Sequence, residues 1–101
     1  MRAGVRANSV DKIYTGHLCS IIVPIITSLQ TVVTINGIPG VVLGSIVEPH
    51  SIKAGSSCIP HTATVTSASD KVTFGGIPAA RIGDDADQGA IITGSPSVFI
   101  G

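Results

Sequence analysis

Large flat hydrophobic side chains are what this chain lacks. It has no Trp, one Met, two Phe and one Tyr among 101 residues. A core built on stacked rings is excluded. Leucine is scarce too, with 3 Leu against 15 Ile and 11 Val. That balance excludes helices beyond a turn or two and favours strands. Charge is the next shortage. Lys and Arg total 6, Asp and Glu total 6, and the formal net charge is zero. Without a basic patch, nucleic acid is excluded as a partner. Long apolar runs are missing as well. The longest, Ile21–Ile26, contains Pro24 and is far too short to span a bilayer. No signal-peptide pattern is visible at the N-terminus.

What is present is turn chemistry and a repeat. The 12 Gly and 6 Pro punctuate short β-type runs. Ile26-Thr27-Ser28 recurs as Val65-Thr66-Ser67, and Val33 to Pro39 recurs at the same offset as Val72 to Pro78. A truncated third copy starts at Ile92-Thr93-Gly94-Ser95 and runs to Gly101. Self-similarity at a fixed period means one supersecondary unit used several times. Each unit reads as strand, tight turn, strand. Asn36-Gly37 and Gly75-Gly76 are two-residue hairpin signals, because their residues tolerate positive φ. The length fits a single domain, 1–101, in which residues 1–15 show no clear period and read as an irregular N-terminal arm. A chain this short buries a modest core and calls for a staple or a partner. Low charge points the same way, to apolar surface covered by another chain.

The long segment from Ile46 to His61 breaks the repeat, and it carries most of the reactive residues. The candidates are His17, Cys19, His50, Cys58 and His61. Cys58-Ile59-Pro60-His61 offers thiolate and imidazole, which suit Zn²⁺. Residues so far apart meet only if the loops converge at one end of the molecule. A Cys19–Cys58 disulfide competes with that reading. Cys19 as a ligand in place of His17, or as a small buried apolar residue, is also open. A Cys/His hydrolase is the enzymatic alternative, but no nucleophile elbow or oxyanion-hole motif accompanies Cys58. A catalytic zinc would need an open position and a base, and Glu48 is the only Glu. Asp84, Asp85 and Asp87 do not fit a Ca²⁺ loop and read as a solvated acidic loop.

The closing stretch holds Pro78-Ala79-Ala80-Arg81, then Ile82-Gly83-Asp84, and later Gly94-Ser95-Pro96. It resembles the signature of the PAAR-repeat family, small tip proteins of contractile phage tails and type VI secretion spikes. The earlier copies are degenerate. Pro39-Gly40-Val41-Val42 stands for the tetrapeptide, and Gly44-Ser45 stands for Gly-Asp. The resemblance implies an all-β cone of three pseudo-three-fold β-hairpins with a metal site near the apex. It implies a metal held by three His and one Cys, which carries over to His17, His50, Cys58 and His61 with Zn²⁺ or iron. It implies that Arg81 and Asp84 hold the strand and its turn, and that the chain is not an enzyme. The implied partner is a trimeric β-helical spike, one cone per trimer, with transient contact to the target envelope and no small-molecule substrate. The implied place is the spike tip of a phage tail baseplate on the virion, or else a type VI spike. The chain stops where the resemblance stops, so a plain tip without a toxin domain is expected. A freestanding zinc-binding module is the alternative of another class.

Overall fold

β-Branched side chains pack well on a pleated surface, and Gly, Asn and Asp supply the turns between short strands. The computed structural model describes residues 1–101, and every regular element in it is a strand. In chain order these are β1 (Arg2–Ala3), β2 (Lys12–Tyr14), β3 (Ile22–Thr27), β4 (Thr34–Ile35), β5 (Ile38–Pro39), β6 (Ile46–Val47) and β7 (His50–Ala54). There follow β8 (Ser57–His61), β9 (Thr73–Phe74), β10 (Ile77–Pro78), β11 (Asp85–Ala86), β12 (Gly89–Ile91) and β13 (Phe99–Ile100). The all-β expectation holds.

One unit is used three times. At one end, which we call the base, β4 pairs with β5 and β9 pairs with β10 across their two-residue turns. Asn36 and Gly37 have φ of 54° and 79°, and Gly75 and Gly76 have 60° and 83°, so both turns need positive φ at both positions. The third copy has no such turn. Its β13 pairs instead with β1, joining the two ends of the chain in the same register. Residues leaving the three strand pairs then bridge one another in a ring: Arg6 to Gly40, Val42 to Ala79, and Gly4 to Arg81.

Beyond the ring each copy runs out and back. The return residues Ile25, Val65 and Ile91 lie opposite Val47, Ala86 and Ile13 of a neighbouring copy. Their amides donate to the carbonyls of Asp11, Ser45 and Asp84 at 3.0, 3.0 and 2.9 Å. Pairing therefore runs from copy to copy around the axis and leaves little free edge. The register shift in β3 between Ile25 and Thr27 absorbs one extra residue there.

Two apolar clusters follow from this stacking. The larger holds Val5, Val41 and Ala80, then Ile13, Val47 and Ala86, then Ile25, Val65 and Ile91, one residue per copy in each set. The smaller, at the base, is built on Ile35, Phe74 and Ile100. A Cβ added to Gly40 would lie 2.7 Å from the Phe74 ring, so this copy cannot carry the alanine that stands at Ala79. The molecule is 41 × 22 × 21 Å, one long axis and two short ones of nearly equal length.

Residues 1–15 are not an irregular arm. β1 and β2 lie within them, and Val5 and Ala7 are fully buried. They form the third motif copy, with Ala3-Gly4-Val5-Arg6 at the place of Pro78-Ala79-Ala80-Arg81 in the bridging ring. Asn8 and Ser9, at φ of 56° and 65°, make a longer turn before Asp11, which hides the copy from inspection of spacing alone.

Candidate metal centre

The ring is held by carboxylates. The Arg81 amide, Nε and Nη2 donate to Asp84 at 2.7, 3.0 and 3.0 Å, and Ser67 Oγ donates to Oδ1 at 3.2 Å. The Arg6 amide, Nε and Nη2 donate to Asp11 at 2.8, 2.9 and 3.1 Å, and Thr93 Oγ1 adds a fourth bond at 2.9 Å. In the middle copy a hydroxyl does the same work for the backbone alone, with the Val42 amide donating to Ser45 Oγ at 3.1 Å. Asp11 and Asp84 are buried. Burial opposes their ionised forms, yet the arginine hydrogen bonds outweigh it and hold both carboxyls below the usual carboxylate range. Arg81–Asp84 is thus a buried structural pair rather than a solvated one.

At the end opposite the base, connections from all three copies converge. His17 comes from the β2–β3 connection, His50 and His61 face each other at the inner end of the β7–β8 hairpin, and Asp87 sits in the β11–β12 turn. Asp87 Oδ1 lies 2.8 Å from His17 Nε2 and 3.1 Å from His61 Nε2, and Oδ2 lies 2.7 Å from His50 Nε2. The four potential ligand atoms all lie within 4.8 Å of one another. Burial pushes the Asp87 carboxyl up, but contacts with the three imidazoles prevail and lower it overall. His50 is the informative member. Its Nδ1 lies 2.8 Å from the Glu48 carbonyl, and its side chain is only 2% exposed. With one ring N–H turned to the Glu48 carbonyl, the Nε2 lone pair faces the Asp87 carboxylate, the placement a cation shared by the two would need. Three imidazoles and a carboxylate are a suitable donor set for Zn²⁺ or iron, and the Glu48 carbonyl fixes the tautomer such a site needs.

A family model described as the PAAR motif matches residues 60–101. The chain carries a PAAR motif. The match supports membership of the PAAR-repeat family, whose members are spike-tip proteins of contractile injection systems. No curated protein matches the chain. Within the PAAR motif, Pro78 lies on β10, Ala79 and Ala80 are core, Arg81 and Asp84 form the buried pair, and Gly83 takes a φ of 87° between them.

Cys58, expected as the fourth ligand, is not in the cluster. It is bonded to Cys19, with Cα atoms 6.1 Å apart. Strand geometry gives the reason. Cys58 and His61 are three residues apart on the regularly paired β8, so they point to opposite faces. Nor is Cys19 a buried apolar residue; it is half-exposed in its connection. Asp87 takes the fourth place, and the reading of a solvated acidic loop fails for Asp84 and Asp87. A signal for it was available. Asp87 directly follows the core residue Ala86, in the connection that starts after the motif Asp84, and His50 lies in the connection that starts after the equivalent Ser45.

Proposed function

We propose that the protein is the structural tip of a contractile injection machine, seated on a trimeric β-helical spike and stabilised by one metal ion held by His17, His50, His61 and Asp87. The pseudo-three-fold base carries the first half of this reading. Three equivalent strand pairs, β4–β5, β9–β10 and β13–β1, present three similar surfaces to a three-fold partner. Thr34, Thr73 and Phe99 face outward there, at equivalent positions beside the buried Ile35, Phe74 and Ile100. Val32 and Phe99 are 82% and 53% exposed, which suits a surface that a partner covers. One chain per trimer satisfies all three strand pairs.

The doubly faced His50 carries the second half. In a tetrahedral Zn²⁺ site four protein ligands leave no place for a reactive water, so the ion there ties three connections together and does no catalysis. Binding free energy of such an ion is folding free energy, because the unfolded chain holds no preformed site. Our reading places the tip on a phage tail baseplate in the virion, where it meets the target envelope first. A type VI spike is the alternative setting.

The test mixes the chain with its cognate trimeric spike at micromolar concentration and reads mass by light scattering. One chain per trimer is expected, and a chain that stays monomeric beside the spike overturns the tip reading. Elemental analysis should find one ion per chain, and Asp87→Ala should lower that content. A metal-free chain after dialysis against micromolar zinc overturns the metal reading.

A further inference from the structure

We propose that the Cys19–Cys58 disulfide is a redox latch on the His17–His50–His61–Asp87 cluster: closed, it traps a bound ion, and opened by a dithiol it lets the ion exchange. The inference rests on the reading of that cluster as a metal site. His17 and Cys19 share the β2–β3 connection, two residues apart, while His50, His61 and Cys58 share the β7–β8 hairpin. The disulfide therefore joins the segment that holds one imidazole to the segment that holds the other two.

Little else joins them. The connection between β2 and β3 is braced internally, by Thr15 Oγ1 to the Ser20 carbonyl and by the Ser20 amide to the His17 carbonyl at 3.3 Å. Its one hydrogen bond to the β7–β8 hairpin is Ser51 N to Ser20 Oγ, at 3.3 Å. Beyond Ile52 the hairpin stands in solvent, with Lys53 to Pro60 all exposed. Movement of His17 away from His50 and His61 would open the cluster, and the covalent bridge resists that movement.

The latch is also reachable. Cys58 is exposed and Cys19 half-exposed. Thiolate attack by a dithiol on the Cys58 sulfur forms a mixed disulfide and expels the Cys19 thiolate. The second thiol of the reductant then displaces Cys58. The reductant leaves as a cyclic disulfide, and its two protons end on the two cysteines. Freed Cys58 stays on the face of β8 opposite His61, so opening loosens the cluster without supplying a replacement ligand. Disulfides persist in oxidising surroundings and open in reducing ones, so the ion would load with the latch open and be retained after oxidation.

The test uses the full chain loaded with Zn²⁺, and separately with Co²⁺, in the oxidised form. A second sample is reduced and freed of reductant by anaerobic gel filtration, and a third is the Cys19→Ser/Cys58→Ser variant. Each is challenged with excess chelator, and release is followed with a zinc indicator beside far-UV circular dichroism. We expect release at least about tenfold faster in the reduced and variant chains, with the β spectrum unchanged. Equal release rates in all three overturn the latch and leave the metal reading intact. Release that coincides with loss of the β spectrum also overturns it, because the bond would then serve only the fold. A sulfur-to-cobalt charge-transfer band after reduction, with slower release, overturns it in favour of thiolate ligation. Failure of the oxidised chain to retain any Zn²⁺ at equilibrium removes the metal reading itself, and the latch with it.

Discussion

The two ends of this molecule are held by different chemistry. In the motif ring and the base, each copy gives one side chain to each core layer, and buried Val5, Val41 and Ala80 are interchangeable in role. At the tip the copies diverge. One gives a connection with His17, one an extended hairpin with His50 and His61, and one a tight turn with Asp87. No apolar layer forms between them, and a disulfide and a His/Asp cluster stand there instead. Three small copies fill a core near their hairpins but not at their far ends. Where apolar burial stops, cross-links of another kind take over.

The largest effect should come from the ring. Asp84→Ala leaves the Arg81 amide and guanidinium without their buried acceptor, and a broken buried pair costs about 3–5 kcal/mol. Asp11→Ala should cost a similar amount through Arg6 and Thr93. Denaturant unfolding checks both, and a loss below about 1 kcal/mol would place these pairs among weak surface contacts. The sign of the pH dependence follows. Both carboxyls are lowered in the folded chain, so their contribution is complete above the ordinary carboxylate value of about 3.9 and vanishes as pH falls through the lowered values. The melting temperature of the wild type should therefore drop below about pH 4. Asp84→Ala should remove part of that drop.

The tip should answer next, and to a different agent. The disulfide closes a segment of sequence separation 39, for which chain entropy gives about 4 kcal/mol as an upper figure and about 2–4 kcal/mol in practice. Reduction should lower the melting temperature accordingly while far-UV circular dichroism keeps its β form. Asp11→Ala, in contrast, should be as costly in the reduced chain as in the oxidised one, since ring and tip share no partners. Coupling above about 0.5 kcal/mol between the two changes would contradict the division.

The sequence was most legible where that division predicts. Hairpins at Asn36-Gly37 and Gly75-Gly76 could be read because turn chemistry is local. The Arg81–Asp84 stretch could be read because the motif is intact. The first copy could not, since Asn8 and Ser9 lengthen the step from Arg6 to Asp11 and Val5 replaces the motif alanine. His17, His50 and His61 could be nominated as residue types, but the fourth member could not. Cys58 looked right beside His61 in the chain and is wrong in space, because a strand sends residues three apart to opposite faces. Asp87 looked solvated because acidic residues cluster around it. Only the folded arrangement shows three imidazoles turned toward its carboxylate.

The smallest effect tests the middle copy of the ring. Ser45 is fully buried, accepts from the Val42 amide at 3.1 Å, and occupies the place of Asp11 and Asp84. It carries no charge, and Val42 stands where the other copies have arginine. Ser45→Ala therefore removes one neutral hydrogen bond and leaves one buried amide unpaired, a cost of about 1–2 kcal/mol. Nothing ionises here, so the loss should be the same at pH 7 as at about pH 2, unlike that of Asp84→Ala. Denaturant melts of the three variants at both pH values make the comparison. If Ser45→Ala matched Asp84→Ala at pH 7, the ring would depend on backbone geometry alone, and the two arginine pairs would add nothing to it. If it cost nothing, the Val42 amide would have another partner, and the equivalence of the three copies would end at the base.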